Sequence, residues 1–327
     1  MVRFKRYAFT ALMLGLALAT GLVAWQGVDA VAAVLAQGGW ALVWLGPYQL
    51  IPILLAAASW RQLLGPMPPH GLAKLTAATW IGLSVNWLLP VAQVGGEVLR
   101  VRLLAIGGWT GAEAGASVIV DKTLQAAAQV GFSLLGLALL LAAVGSHDLV
   151  IWTGGFVVVL SASLYIFYRL QRADPAGRLI GLLARALPGS KLESALPHGQ
   201  SFDRALHEIY GRRGRLAAAV LWRALERLTK CGEVWLALWL MGHPVSLLEA
   251  VILESLVQAV RAAAFAVPAG LGVQEGALVL VGGLLGLSPD LALALSLAKR
   301  VRELVVGVPG LVAWQVLERR RRLKVRG

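Results

Sequence analysis

The chain has 327 residues, 58% of them hydrophobic and 14% charged, with a mean hydropathy of +0.73, values that exclude an ordinary soluble domain and indicate a membrane protein. Its net charge of +13 does not point to nucleic acid, because the basic residues gather beside apolar segments, where the preference for cytoplasmic Lys and Arg accounts for them. Several apolar runs reach about 20 residues, enough to cross a hydrocarbon core of about 30 Å as helices, and none has the short period-2 pattern of an outer-membrane barrel. The expected fold is therefore all-α and polytopic.

In chain order, Arg3, Lys5 and Arg6 precede an apolar stretch at residues 7–25. Ala17 and Ala19 would suit signal-peptide cleavage, but the many spans that follow favour an uncleaved first span. A second span is expected at 40–59. Residues 73–108 form a broken apolar segment, and spans follow at 110–144 and 149–170. Between positions 169 and 215 lie Arg169, Arg172, Arg178, Arg185, Lys191, Arg204, Arg212, Arg213 and Arg215 against four acids, which places the loop at 171–214 in the cytoplasm. Within it, residues 177–187 could lie on a membrane surface as an amphipathic helix, or form a solvated linker.

That loop constrains what precedes it. If 73–108 crossed once, the basic loop would be forced outside, so it must cross twice or not at all; a re-entrant hairpin from the cytoplasmic side fits its short second half. Its tip must then be buried against protein or water. A span at 215–241 leads outward, a second hairpin at 247–287 dips in from the opposite face, and a last span at 289–316 returns. The expected organisation is an N-terminal membrane half (1–170, hairpin 73–108), the loop 171–214, a C-terminal half (215–317, hairpin 247–287) and a basic tail (318–327). Both termini read as cytoplasmic.

The two hairpins carry the same constellation. PVAQVGGE, with Pro90 and Glu97, recurs as PAGLGVQE, with Pro268 and Glu275, at an offset of 178 positions. The same offset carries Gly108 onto Gly286, Thr110 onto Ser288, Asp121 onto Lys299 and Lys122 onto Arg300. Duplicated, interrupted helices are how many transporters build a site near the bilayer midplane. The reading is thus six full spans plus two re-entrant hairpins in an inverted-topology repeat. Thr110 with Glu113 is a capping box, and Ser288 before Pro289 is an N-cap followed by a favoured first helical residue.

Candidate site residues are those whose charge is costly inside a membrane. Pro90 and Pro268 each remove a donor and end a half-helix, and Gly95, Gly96, Gly270 and Gly272 permit the turn. Helix kinking for packing alone is the bland alternative. Glu97 and Glu275 could bind a cation, relay a proton or pair with arginine, with Arg100 beside Glu97 as a structural partner. Arg223, Glu226, Arg227, Lys230 and Glu233 recur at spacings of three and four and form one stripe. They read as a polar wall or as a self-neutralising ladder in which Glu226 pairs with Lys230. Lys299, Arg300, Arg302 and Glu303 interrupt the last span, with Lys299 and Glu303 spaced to pair. Glu254 and Arg261 share a helix face and could pair with the stripe. Asp121 and Lys122 complete the set, and Asn86, Gln93, Gln125, Gln129, Gln258 and Gln274 read mostly as interhelical hydrogen-bonding groups.

Several enzyme signatures are missing. Gly270 and Gly272 lack the third glycine and preceding strand of a dinucleotide fingerprint, His207-Glu208 lacks the second histidine of a zinc helix, and no phosphate-binding P-loop sequence exists. Cys231 is the single cysteine, which excludes an intrachain disulfide framework or thiolate cluster. No metal, cofactor or direct use of ATP is expected.

The stretches SVNWLLPVAQVGGEVLRVRLL, GASVIVDKTLQ and VPAGLGVQEGALVLVGGLLGLSPDLALALSLAKRVRELVVGVPG resemble the flippase-like membrane domain of the lysylphosphatidylglycerol synthases, and more closely its stand-alone hopanoid-biosynthesis-associated (HpnL-type) branch. The resemblance implies a lipid-translocating protein of the bacterial inner membrane, with membrane lipids as partners and hopanoid-biosynthesis enzymes as candidate protein partners. In the synthases a soluble aminoacyl-transferase domain follows; here a basic tail follows, so lysyl transfer is not expected. The function expected is movement of an anionic phospholipid or hopanoid-related lipid through a charged midplane groove. A membrane-embedded lipid-modifying enzyme with Glu97 or Glu275 as general base, and a scaffold for hopanoid enzymes, are the alternatives.

Overall fold

The computed structural model describes residues 28–65, 71–89, 95–144, 196–264 and 272–326, together with Tyr165 and Arg169. The expected first span, all but two residues of the span at 149–170, the segment 177–187, and Pro90, Gln93, Pro268 and Gly270 lie outside the described residues. Among the described residues every regular element is a helix.

The expected span at 40–59 lies within Leu35–Leu63, a helical run long and apolar enough to cross a membrane, and changes helix type along its length. α1 (Val28–Gly38) ends where Gly39 turns to φ +49°, a 3-10 segment covers Gly39–Trp44, and α2 (Leu45–Tyr48) and α3 (Leu50–Leu63) follow. Glycine tolerates the left-handed turn, and Pro47 and Pro52 each withhold an amide donor from the helical ladder, while Trp44, Leu45 and Gln49 keep right-handed helical backbone angles across the junctions. Beyond it come α4 (Gly71–Leu88), α5 (Gly95–Gly107) and α6 (Gly111–Val144), then α7 (Leu196–Gly211), α8 (Arg213–Leu240), α9 (Leu247–Ala263), α10 (Val273–Leu284) and α11 (Pro289–Arg326).

α7 was not expected, since it falls in the segment read as a polar loop. The segment around it is strongly basic, but Phe202, Ala205, Leu206, Ile209 and Tyr210 recur at helical spacing and pack onto α6 in a core shared with Trp60, Leu75 and Leu104. A second core joins α8, α9, α10 and α11 around Val234, Leu253, Leu278 and Leu295. Both cores draw on the two halves, Leu45 and Leu140 entering the second and Ala219 the first.

The duplication extends to the element boundaries. Shifted by 178 positions, the first residues of α5 and α6 fall on the first residues of α10 and α11, α4 falls on α9, and α3 falls on the second half of α8. The glycines at the two equivalent turns both adopt positive φ, +112° at Gly108 and +80° at Gly286. The packing follows the same exchange: α4 lies on α11 as α9 lies on α6, and α3 on α4 as α8 on α9. α3 and α8, equivalent to each other, pack together and run antiparallel. The Tyr48 hydroxyl donates to the Thr229 carbonyl at 2.7 Å, Ser59 to Ala219 at 2.9 Å, and Arg215 to the Leu64 carbonyl at 3.0 Å.

Within the first pair, α4 and α5 approach at Gly82 and Gly96. A methyl group on Gly96 would collide with the Gly82 carbonyl and the Asn86 amide, both held by the helix backbone or by the Gly96 N–H bond to Asn86 Oδ1 at 2.9 Å. Gly96→Ala is expected to lower stability by about 1–3 kcal/mol. Gly111→Ala, where a methyl meets open space, should leave it unchanged in the same thermal unfolding assay in detergent.

Candidate functional site

Where the two halves meet lies a cavity of about 410 Å³, within the size range of small-molecule sites. α3 contributes Pro52 and Ala56, and Gln49 precedes it; α4 contributes Thr79, Leu83, Asn86 and Trp87, α5 Glu97 and Arg100, and α6 Lys122, Gln125 and Gln129. The opposite wall is the α8 stripe of Arg223, Glu226, Arg227, Lys230 and Glu233, with Glu254, Gln258 and Arg261 from α9 and Arg302 and Glu303 from α11. Asp121, Glu275, Lys299 and Arg300 do not line the cavity; they stand behind the lining and bind to it. Of the expected hairpin-break residues, Gly95 and Gly96 open α5, and Gly272, with φ +75°, caps α10.

Equivalent positions make equivalent ion pairs. Lys122 Nζ lies 2.7 Å from Glu97 Oε1, and its counterpart Arg300 Nε lies 3.3 Å from Glu275 Oε1. Around these the two sides diverge. Glu97 also holds Arg100 at 2.8 Å and receives a bond from Asn86, whereas Glu275 receives one from Ser296 at 2.9 Å and its buried Oε2 has no hydrogen-bond partner. Asp121, with no exposed surface, holds Arg100 at 2.7 Å and Arg223 as well. Glu226 pairs with Lys230, Arg302 Nε lies 2.8 Å from Glu233, and Lys299 pairs with Glu254.

Two expected pairings are replaced. Lys299 does not pair with Glu303 four residues on; it reaches Glu254 on α9, while Glu303 takes Arg300 at 3.1 Å and stands 3.8 Å from Arg261. Glu254 and Arg261 therefore engage α11, not the α8 stripe. On a solvated helix the i,i+4 partner is nearest by default, but each buried charge must recover the hydration it has lost and takes whichever opposite charge packing brings to it. Two aromatic partners carried no local signal in the sequence. The Arg100 guanidinium stacks 3.9 Å from the Trp60 ring centre, and Arg302 lies 5.2 Å from that of Trp87.

The wall contains nine cations (Arg100, Lys122, Arg223, Arg227, Lys230, Arg261, Lys299, Arg300, Arg302) against seven carboxylates (Glu97, Asp121, Glu226, Glu233, Glu254, Glu275, Glu303), an excess of two positive charges. Such a cluster costs several kcal/mol per ion unless its members satisfy one another. What it can do chemically is present fixed guanidinium donors to an anion.

The environment of this cluster follows from the polarity of its helices. On α8 the charged face is the buried one, with Arg223 3%, Glu226 3% and Glu233 2% exposed, while Leu221, Leu228 and Trp239 on the other faces are 61%, 50% and 55% exposed. α11 repeats the inversion, burying Lys299, Arg302 and Glu303 and exposing Val301, Leu304, Val305 and Val308. Apolar outside and charged inside is the arrangement a bilayer selects. By length and composition alone only residues Leu35–Leu63 and Gly111–Ala142 among the described residues are apolar enough to span; α8 and α11 carry the cavity's charges.

Residues 12–310 match the family model of the lysylphosphatidylglycerol synthase TM region. The chain belongs to this family. No curated protein and no solved structure matches it. All the cavity-lining residues fall within the matched part, so the charged cavity is built by the lysylphosphatidylglycerol synthase TM region itself. The match ends at Gly310 inside α11, beyond the last charged residue of the cluster.

Proposed function

We propose that this protein is a transporter, not an enzyme, which moves a lipid with an anionic head group between the leaflets of the bacterial cytoplasmic membrane. The observation that carries the reading is the net-positive cavity of about 410 Å³ at the junction of two duplicated helical pairs. The head group occupies the cavity while the tails remain in lipid against the exposed Leu and Val faces of α8 and α11.

The duplicated halves form an inverted-topology repeat with six full spans and two re-entrant hairpins, α4–α5 from the cytoplasmic face and α9–α10 from the opposite one. The antiparallel packing of the equivalent helices α3 and α8 supports this: if a helix and its counterpart run in opposite directions across the bilayer, the axis relating them lies in the membrane plane. The basic loop and tail support cytoplasmic termini. The finer resemblance to the hopanoid-associated branch adds a hopanoid-related lipid as a candidate cargo, and the cation excess favours an anionic one.

Reconstitution tests the reading. In proteoliposomes with labelled phosphatidylglycerol, the purified protein should speed exchange of label between leaflets well above protein-free vesicles. Equal rates with and without protein, for every anionic and hopanoid-related lipid supplied, would overturn it.

A further inference from the structure

Two of the cations in the wall are loosely held. Within hydrogen-bond reach, each carboxylate of the wall is held by a cation other than Arg227 or Arg261: Glu226 by Lys230, Glu303 by Arg300, and the others as described above. Among the described residues Arg227 has one ionic neighbour, Glu226 at 3.8 Å, and its buried Nε donates no hydrogen bond. Arg261 bonds to the neutral amide oxygen of Gln274 and stands 3.8 Å from Glu303. Both line the cavity, one from α8 and one from α9. Arg227 and Arg261 are thus the cavity-lining arginines of the cluster whose ionic partners stand farthest away.

We infer that the cavity selects a lipid whose head group carries two negative charges at one centre, a phosphate monoester, with Arg227 and Arg261 as the residues that set this preference. The inference rests on the anionic-lipid reading and sharpens it. A diester carries one negative charge and leaves one guanidinium uncompensated in a poorly solvated site. A monoester carries about −1.5 to −2 and offers three acceptor oxygens, enough for the forked donors of both arginines at once. The remaining seven cations are held by carboxylates and stacked rings and serve to build the wall.

Two lipids supply this chemistry, a diacylglycerol phosphate and a polyprenyl phosphate. The test measures binding of phosphatidate, a short polyprenyl monophosphate and phosphatidylglycerol to the full chain in detergent by native mass spectrometry. The monoesters should bind about tenfold or more tighter than phosphatidylglycerol, since a charge-assisted hydrogen bond adds roughly that factor, and the tighter of the two names the source. Arg227→Gln and Arg261→Gln should each collapse the ratio of monoester to diester binding. Both should lower the melting temperature far less than loss of a close pair would, because the ionic partner of each guanidinium stands 3.8 Å away. Equal binding of monoester and diester by the unaltered protein overturns the inference and leaves the translocase reading standing; so does an undiminished ratio in both variants. Binding of none of the anionic lipids, together with failure of the reconstitution, overturns both.

Discussion

Replacing Asp121 with leucine is expected to destabilise the protein by about 3–5 kcal/mol, the cost of removing one partner from a buried charge network. Asp121 is fully buried and is the carboxylate that joins Arg100 on α5 to Arg223 on α8. Without it Arg223 keeps only Glu226 at 3.8 Å. Arg100 is better insured, because Glu97 and the Trp60 ring remain. The double variant Asp121→Leu/Arg223→Met should accordingly recover most of the loss, since replacing both members of a buried pair by apolar groups is often near neutral. Chemical denaturation in detergent decides the matter: a single variant within about 1 kcal/mol of the unaltered protein would mean that the network is hydrated and contributes little.

The second large effect concerns transport. Glu97→Gln and Glu275→Gln each remove the carboxylate from one of the two equivalent ion pairs, leaving Lys122 without Glu97 in the first case and Arg300 with Glu303 but not Glu275 in the second. In a cavity that already carries two surplus positive charges, a third is expected to trap the head group. Translocation should fall by about tenfold or more, at the roughly 2–5 kcal/mol scale seen when one side of a buried charge pair is lost. Helical content by circular dichroism should be retained. The swap Glu97→Lys/Lys122→Glu restores the pair with reversed sense and should recover part of the rate. If both single variants move lipid at the unaltered rate, these pairs have no part in transport.

Much of this architecture was legible in the residues. The fixed offset of 178 positions located the second pair of helices to the residue, because PVAQVGGE and PAGLGVQE, and the two caps at Thr110 and Ser288, are local signals that need no tertiary knowledge. The α8 stripe was readable for the same reason, its spacing of three and four being a property of one helix. Partners were not. Lys299 finds Glu254 across 45 positions and Arg100 finds Trp60 across 40, and nothing near either residue in the chain encodes those choices. Local pairing rules therefore misassigned Lys299 to Glu303. The loose pairing of Arg227 and Arg261 is less legible still, since it emerges only after every other pair in the wall is known. α7 escaped notice because the basic segment around it masked a narrow apolar face, and the turn at Gly39 because hydropathy averages over it.

The central claim is that two oppositely oriented halves converge on the charged cavity, and topology tests it most directly. Gly111 and Pro289 are exposed, equivalent at the fixed offset, and begin α6 and α11. Gly111→Cys and Pro289→Cys, each in a Cys231→Ala background, would be labelled with a membrane-impermeant maleimide in intact cells and in inverted membrane vesicles. The account predicts that position 289 reacts from outside the cell and position 111 only in inverted vesicles. Labelling of both from the same face would contradict it.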